Sequence, residues 1–202
     1  MIRFFDFIFS FIGLIILSPI FLILVILGLF DTGSPFFVQE RVGLNKKAFF
    51  LVKFRSMHLK TISVATHLAS SSSLTKYGAF LRKTKLDELP QLWNVFIGEM
   101  SLVGPRPNLF NQTELIFERE TRNVYSIRPG ITGLAQISKV DMSTPIELAE
   151  IDAKMINNYN LFNYFKLIFS TVFGKGFGDN IVHNKIRHNW LWTYRSQTCH
   201  HC

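Results

Sequence analysis

Apolar and polar residues are spread unevenly along the chain, and the first 30 positions are the extreme case. The run "FIFSFIGLIILSPIFLILVILGLF", Phe7 to Phe30, contains no charged residue. About 20 apolar residues suffice to cross the hydrocarbon core of a bilayer as a helix, so this segment is long enough to enter one. Ser18-Pro19 interrupts it midway. Proline removes an intrahelical hydrogen bond and clashes with the preceding turn, which predicts a kink there. A kinked helix that dips in and returns is favoured over a spanning one, although spanning helices also tolerate proline, so the residues alone leave both open. No small-x-small cleavage pattern follows, which argues against a secretory signal peptide.

Downstream the pattern changes. "SPFFVQERVGLNKKAFFLVKFRSM" alternates apolar and polar positions around a Gly-Leu-Asn-Lys turn and predicts a β-hairpin, the one clear strand signal. "KTISVATHLASSSSLTKYG" is polar, serine-rich and aperiodic, as a surface loop would be. Three helices are then expected: "ELPQLWNVFIG" ending at Gly98, "NQTELIFERETRNVYSI", and "TPIELAEIDAKMINNYN" with a proline suited to a first turn. "LFNYFKLIFSTVFGKGFG" places Phe162, Phe165, Phe169 and Phe173 three or four apart, a stripe that serves equally as core or as the apolar face of a helix lying on a bilayer.

The fold class that follows is α+β and predominantly helical, with an N-terminal re-entrant membrane helix broken at Ser18-Pro19, one small β-hairpin and amphipathic interfacial helices. The expected organisation is a membrane helix over 1–30, a cytosol-facing catalytic domain over 31–180 and a tail over 181–202. The length, 202 residues, suits one compact domain with an appendage.

Charge sharpens this picture. The formal charge is +8 in a chain with 21 phenylalanines, a combination suited to a membrane surface. Residues 1–30 hold only Arg3 and Asp6, so the whole basic surplus follows the apolar segment and places the bulk of the chain in the cytoplasm. Both cysteines, Cys199 and Cys202, lie in the last four residues, so no disulfide framework organises the fold. With His200 and His201 they are metal-ligand types, but a tetrahedral site needs ligands spaced on a folded frame, and a disordered tail is expected. Nucleic-acid binding ranks last, because basic residues are dispersed among apolar segments and no recognition motif occurs.

Candidate chemistry concentrates in "LRKTKLDELPQLWNVFIGEMSLVGPRP", residues 81–107. Pro90 is tolerated in a first helical turn, which predicts Asp87 as N-cap with Glu88, Leu89 and Pro90 following it. Capping accounts for Asp87. It does not account for Arg82, Lys83 and Lys85 before it, nor for "SLVGPRP" and "IRPGITG", which hold Arg106 and Arg128 beside prolines. Those residues suit phosphate, which arginine grips through a bidentate fork. Carboxylates beside a phosphate make sense if a divalent cation bridges them or if one attacks phosphorus, and hard Mg²⁺ takes such oxygen ligands.

Together, the Ser18-Pro19 segment, "QERVG", "VKFRSM", the 81–107 string and "RPGITGLAQI" resemble the bacterial sugar transferases, the small monotopic polyprenyl-phosphate phosphoglycosyl transferases, over residues 1–170. The resemblance implies a ping-pong transfer at the cytoplasmic face of the bacterial inner membrane. Asp87 would attack the sugar-bearing phosphorus of a UDP-sugar and expel UMP, and undecaprenyl phosphate would collect the sugar phosphate. Such a step would start a surface glycan such as O-antigen, capsule or a glycoprotein glycan, ahead of downstream glycosyltransferases.

The same resemblance makes Glu88 the companion acid, with Asp87 and Glu88 associated with Mg²⁺. Arg82, Arg106 and Arg128, with Pro129, Gly130 and Thr132 of the RPGITG turn, are the expected substrate-binding set. Lys53 and Arg55 of VKFRSM are further candidates, equally readable as solvated or lipid-headgroup-facing residues. Asp152 matches the family pattern, whereas Lys154 and Met155 replace a paired tyrosine and Tyr164 replaces an aspartate. The residues do not name the sugar; the family suggests an N-acetylated, partly deoxygenated hexosamine. Two other functions are compatible with the residues: a glycosyltransferase releasing UDP, and a non-enzymatic basic membrane adaptor.

Overall fold

The computed structural model describes residues 1–59 and 74–173. The apolar segment forms two helices, α1 (Ile2–Ile16) and α2 (Ser18–Thr32), bent by 63° at Leu17. The break is local chemistry. Pro19 sits in the first turn of α2, where its missing N–H costs little, but it leaves the carbonyl of Ile15 without an amide four residues on. The Ser18 hydroxyl donates to that carbonyl at 2.7 Å. Among the described residues no single helix is long and apolar enough to cross a membrane, while the bent pair together is, by length and composition.

The hairpin forms as expected from β1 (Phe36–Val42) and β2 (Ala48–Phe54), antiparallel with Val42 opposite Ala48. Asn45 and Lys46 adopt the left-handed conformation in its turn (φ 51° and 60°), which asparagine tolerates better than most residues. Phe49 and Leu51 of β2 pack against Val95 and Met100. Side chains alternate along a strand, so the next residue on that face is Lys53.

Six further helices follow: α3 (Lys76–Thr84), α4 (Gln91–Ile97), α5 (Thr113–Thr121), α6 (Leu134–Ile137), α7 (Pro145–Asn157) and α8 (Leu161–Val172). Helix α7 begins at its proline, as expected. Helix α3, which sequence patterning did not anticipate, is capped by Thr75 Oγ1 accepting from Gly78 N at 2.8 Å. Two three-residue strands, β3 (Ser101–Val103) and β4 (Gly130–Thr132), pair in parallel without a strand signal in the sequence.

The start of α4 differs from expectation. It opens at Gln91 with Pro90 at the N-cap position, and Asp87 and Glu88 lie before it in a 3₁₀ turn, Leu86–Glu88. Short-range bonds from Glu88 N, Leu89 N, Leu92 N and Trp93 N to carbonyls three residues back satisfy the amides that a capping side chain would otherwise serve. The acids are released from capping.

The amino-terminal half of α1 is built into the domain. Phe7 and Phe11 stack on Phe96 of α4, and Phe5 meets Phe165 of α8 edge-on. The aromatic stripe on α8 divides accordingly: Phe165 packs inward with the buried Tyr164, while Phe162, Phe169 and Phe173 are exposed. The serine-rich stretch 60–73 and the tail with Cys199, His200, His201 and Cys202 lie outside the described residues.

Candidate active site

The turn carrying Asp87 and Glu88 is fixed from both sides. Upstream, a Cβ on Gly78 would lie 1.9 Å from Ser56 O, so only glycine lets α3 approach the end of β2 this closely. That approach lets Arg82 Nε donate to Ser56 Oγ at 3.0 Å. The chain then turns through Lys85 in the left-handed conformation (φ 59°). Downstream, α4 is docked by the buried Asn94, whose amide nitrogen donates to Phe50 O (2.8 Å) and whose oxygen accepts from Val52 N (3.1 Å). Asn94 thereby acts as a short strand partner for the edge of β2.

Docking brings the Lys53 face of the hairpin onto the acids. Lys53 Nζ lies 3.0 Å from Glu88 Oε1, and Arg106 Nη2 lies 3.8 Å from the same oxygen. Burial alone would raise the Glu88 carboxyl, but the charges of Lys53, Arg106 and Lys85 and the Lys53 hydrogen bond outweigh it and hold the group at about 2. Asp87 goes the other way. It is 9% exposed, it makes no hydrogen bond with the described residues, and its Oδ1 is buried without a partner. Burial, then the neighbouring Glu88 charge, pushes it above the usual aspartate value against the pull of Lys53, Arg82 and Lys85. Two adjacent acids are thus split into a strong acid held by cations and a more basic, unbonded carboxylate.

Arg106 is positioned by its backbone. Gly104 N donates to Thr132 O (2.8 Å) and Gly130 N to Pro105 O (2.9 Å), and a Cβ on Gly130 would lie 2.0 Å from Gly104 N. The Arg106 carbonyl accepts from Arg119 Nη1 at 2.9 Å, and Arg119 is itself paired with Asp152 at 2.6 Å in the interior. Arg41 Nη1 donates to Pro107 O (3.2 Å) on the other flank. Burial and the nearby Arg106 lower the Arg41 guanidinium to about 10.

The expected set therefore divides. Asp87, Glu88, Lys53, Arg82 and Arg106 come together. Pro129, Gly130 and Thr132 build the seat of the Arg106 loop: Pro129 O accepts from Ser101 N (2.9 Å), and the Thr132 hydroxyl lies 2.6 Å from that of Thr171. Arg128 is not brought to the acids. Its Nε donates to Gly98 O (2.8 Å) at the far end of α4, about 10 Å of helix away. Arg55 is also engaged elsewhere, on Ser34 O and Phe36 O (both 3.0 Å) and over the Phe37 ring. Asn94, Arg41 and Arg119 hold positioning roles that no sequence pattern points to, the lone asparagine in the apolar run QLWNVFI being the most visible signal among them.

Among the described residues no group of three or more His, Cys, Asp or Glu side chains could hold a metal. The available set is Asp87 with Glu88. An unpartnered buried carboxylate oxygen on Asp87 fits a hard divalent cation that completes its shell from water and phosphate.

Residues 1–176 match the bacterial sugar transferase family. A UDP-glucose:undecaprenyl-phosphate glucose-1-phosphate transferase of Klebsiella pneumoniae is 39% identical over 184 residues, covering 85% of this chain and 39% of that protein. The UDP-galactose-lipid carrier transferase of Erwinia amylovora is 37% identical over 175 residues, covering 78% of this chain and 36% of that protein. Exopolysaccharide production protein ExoY of Rhizobium meliloti is 38% identical over 189 residues, covering 84% and 83% respectively. The chain thus spans well under half the length of the first two and most of the third. With the family matched across both apolar helices, the acid turn and the Arg106 seat, the chain belongs to the bacterial sugar transferases.

Proposed function

We propose that the protein transfers a sugar 1-phosphate from a UDP-sugar to undecaprenyl phosphate, releasing UMP, as the opening step of a surface polysaccharide. The observation that carries this is Asp87: a buried carboxylate with no hydrogen bond, raised in basicity, among the charges of Lys53, Arg82 and Lys85, with Arg106 reached through the adjacent Glu88. A carboxylate kept as a structural partner is given donors. One kept as a nucleophile is left unbonded beside the charge that will bind its target.

The chemistry follows from that arrangement. A carboxylate oxygen of Asp87 forms a bond to the sugar-bearing phosphorus, the bond from that phosphorus to the bridging oxygen breaks, and UMP leaves with the electron pair. An oxygen of undecaprenyl phosphate then bonds to the same phosphorus, and the aspartyl bond breaks to regenerate the carboxylate. Arg106 and Arg82 stabilise charge on the phosphoryl oxygens, the dominant contribution in such transfers. Glu88 holds Lys53 and Arg106 in place and, as a like charge, keeps Asp87 basic. Mg²⁺, held by Asp87 and Glu88, would offset the repulsion between these acids and the diphosphate.

The bent pair α1 and α2 enters the bilayer as a re-entrant hairpin in this account, leaving the acid turn on the cytoplasmic side where both substrates meet. The relatives' names point to UDP-glucose and UDP-galactose as the first donors to try. A panel of UDP-sugars assayed for UMP release, with the protein in nanodiscs and Mg²⁺ present, tests the proposal. Release of UDP in place of UMP would overturn it in favour of a glycosyltransferase, and release of neither would favour an adaptor.

A further inference from the structure

The two charged residues among the first 30, Arg3 and Asp6, are both spent on the domain. Arg3 donates from Nη1 to Val95 O (2.5 Å), which also accepts from Gly98 N (3.1 Å), and from Nη2 to Phe96 O (2.8 Å), both carbonyls in the last turn of α4. Asp6 is 2% exposed, and its Oδ1 accepts from Ser101 Oγ (3.0 Å), Leu102 N (2.9 Å) and Tyr164 Oη (2.8 Å). Burial and the Asp6 charge push the Tyr164 phenol well up, so it remains a donor. One turn of α1 is therefore bolted to α4, to β3 and to α8.

Apolar contacts alone would not fix that attachment. Phe7 and Phe11 stack on Phe96, but at the edge of a bilayer lipid chains solvate a phenylalanine about as well as another phenylalanine does, so such contacts slide at little cost. Directed polar bonds do not slide. Helix α4 begins three residues after Glu88, so its attachment to α1 also sets where the acid turn stands above the lipid.

From these bonds we infer that Arg3, Asp6 and Tyr164 form a latch that fixes the depth of the acid turn relative to the bilayer. They are positioning residues for the lipid-borne acceptor. The inference builds on the proposed two-step transfer. A UDP-sugar arrives from water and reaches Asp87 at any depth, whereas the phosphate of undecaprenyl phosphate is held at the headgroup plane and reaches the phosphoryl-aspartate at one depth only. Loosening the latch should spare the first step and impair the second.

Trp93 on α4 is 51% exposed and lies 5.8 Å from Phe96, which makes it a depth gauge within the moving unit. The experiment uses the full chain with Trp190 and Trp192 replaced by phenylalanine, in phosphatidylethanolamine/phosphatidylglycerol nanodiscs brominated at defined acyl positions. For Asp6→Ala and Arg3→Met, the Trp93 quenching profile should shift. UMP released without acceptor should stay near one equivalent per protein, while turnover with undecaprenyl phosphate should fall about 10- to 100-fold, the scale of a small misplacement.

Tyr164→Phe removes one of the three donors to Asp6 and should give the same pattern at smaller amplitude. It keeps the test available if Asp6→Ala does not fold. An unchanged Trp93 profile with unchanged turnover would overturn the latch, as would equal losses in both steps without a change in depth. Failure of the unmodified protein to release UMP without acceptor would instead sink the two-step reading, and the Trp93 profile would still decide the latch.

Discussion

Asp87 and Asp152 are both buried aspartates beside arginines, yet the fold treats them differently. Asp152 Oδ2 accepts from Arg119 Nε (3.0 Å) and Nη2 (2.6 Å), a direct ion pair in the interior, and only its Oδ1 is left buried without a partner. Asp87 stands among three cations, Lys53, Arg82 and Lys85, and is bonded to none of them. The first arrangement ties α5, α7 and the Arg106 loop together. The second holds a reactive group ready, at the cost of leaving it desolvated. Removing each acid should therefore have opposite consequences for stability and for activity.

The largest effect expected on stability is at Asp152. Asp152→Ala leaves Arg119 buried without its counter-ion and should destabilise the protein by about 3–5 kcal/mol, read as a lowered melting temperature in detergent. Asp87→Ala deletes a buried carboxylate that has no partner and should leave the melting temperature unchanged or raise it. A large drop at Asp87 would erase the contrast between the two acids.

A second comparison separates two arginines that look alike in the sequence, each beside a proline. Arg106→Ala should cost about 2–4 kcal/mol of transition-state stabilisation, seen in kcat/KM for UMP release with little change in melting temperature. Arg128→Ala removes a hydrogen bond to the end of α4 and should cost about 1 kcal/mol of stability, with a smaller effect on rate. Equal rate losses at both would return Arg128 to the phosphate grip. Between these two in size, Asn94→Ala leaves Phe50 O and Val52 N unpaired beneath the site and should destabilise by about 1–3 kcal/mol in the same melting assay.

The smallest effects concern pH. Because burial and Glu88 raise Asp87, the acid limb of kcat/KM should lie above the ordinary aspartate value of 3.8, and Glu88→Gln, which removes the like charge, should move that limb downward. Glu88 itself is held at about 2 against an ordinary 4.5. Its contribution to stability is therefore complete above pH 4.5 and is lost as pH falls toward 2, which acid titration of the melting temperature would show.

Features set by short-range chemistry were legible in the sequence. The Ser18-Pro19 break, the hairpin with its Asn45 turn and the proline start of α7 all follow from what single residues permit. The parallel pair β3 and β4 did not show itself, because three residues carry no periodicity and both strands sit inside segments that read as rigid turns. A capping rule read locally starts α4 at Asp87, whereas 3₁₀ bonds already satisfy the amides there and the helix opens at Gln91. Within the site, the acids and their cations were visible as a cluster of types, but choosing Arg106 over Arg128 needed tertiary placement. The roles of Asn94, Arg119 and Asp6 lie wholly in contacts between segments far apart in the chain.

The most direct test of the central claim is the intact mass of the protein after incubation with UDP-glucose or UDP-galactose and Mg²⁺, without a lipid acceptor. One added sugar-phosphate mass on Asp87, matched by one equivalent of UMP and absent in Asp87→Asn, is the result expected of an unbonded nucleophilic carboxylate. Full turnover to the lipid product with no adduct in any competent preparation, or an adduct that persists in Asp87→Asn, would contradict it.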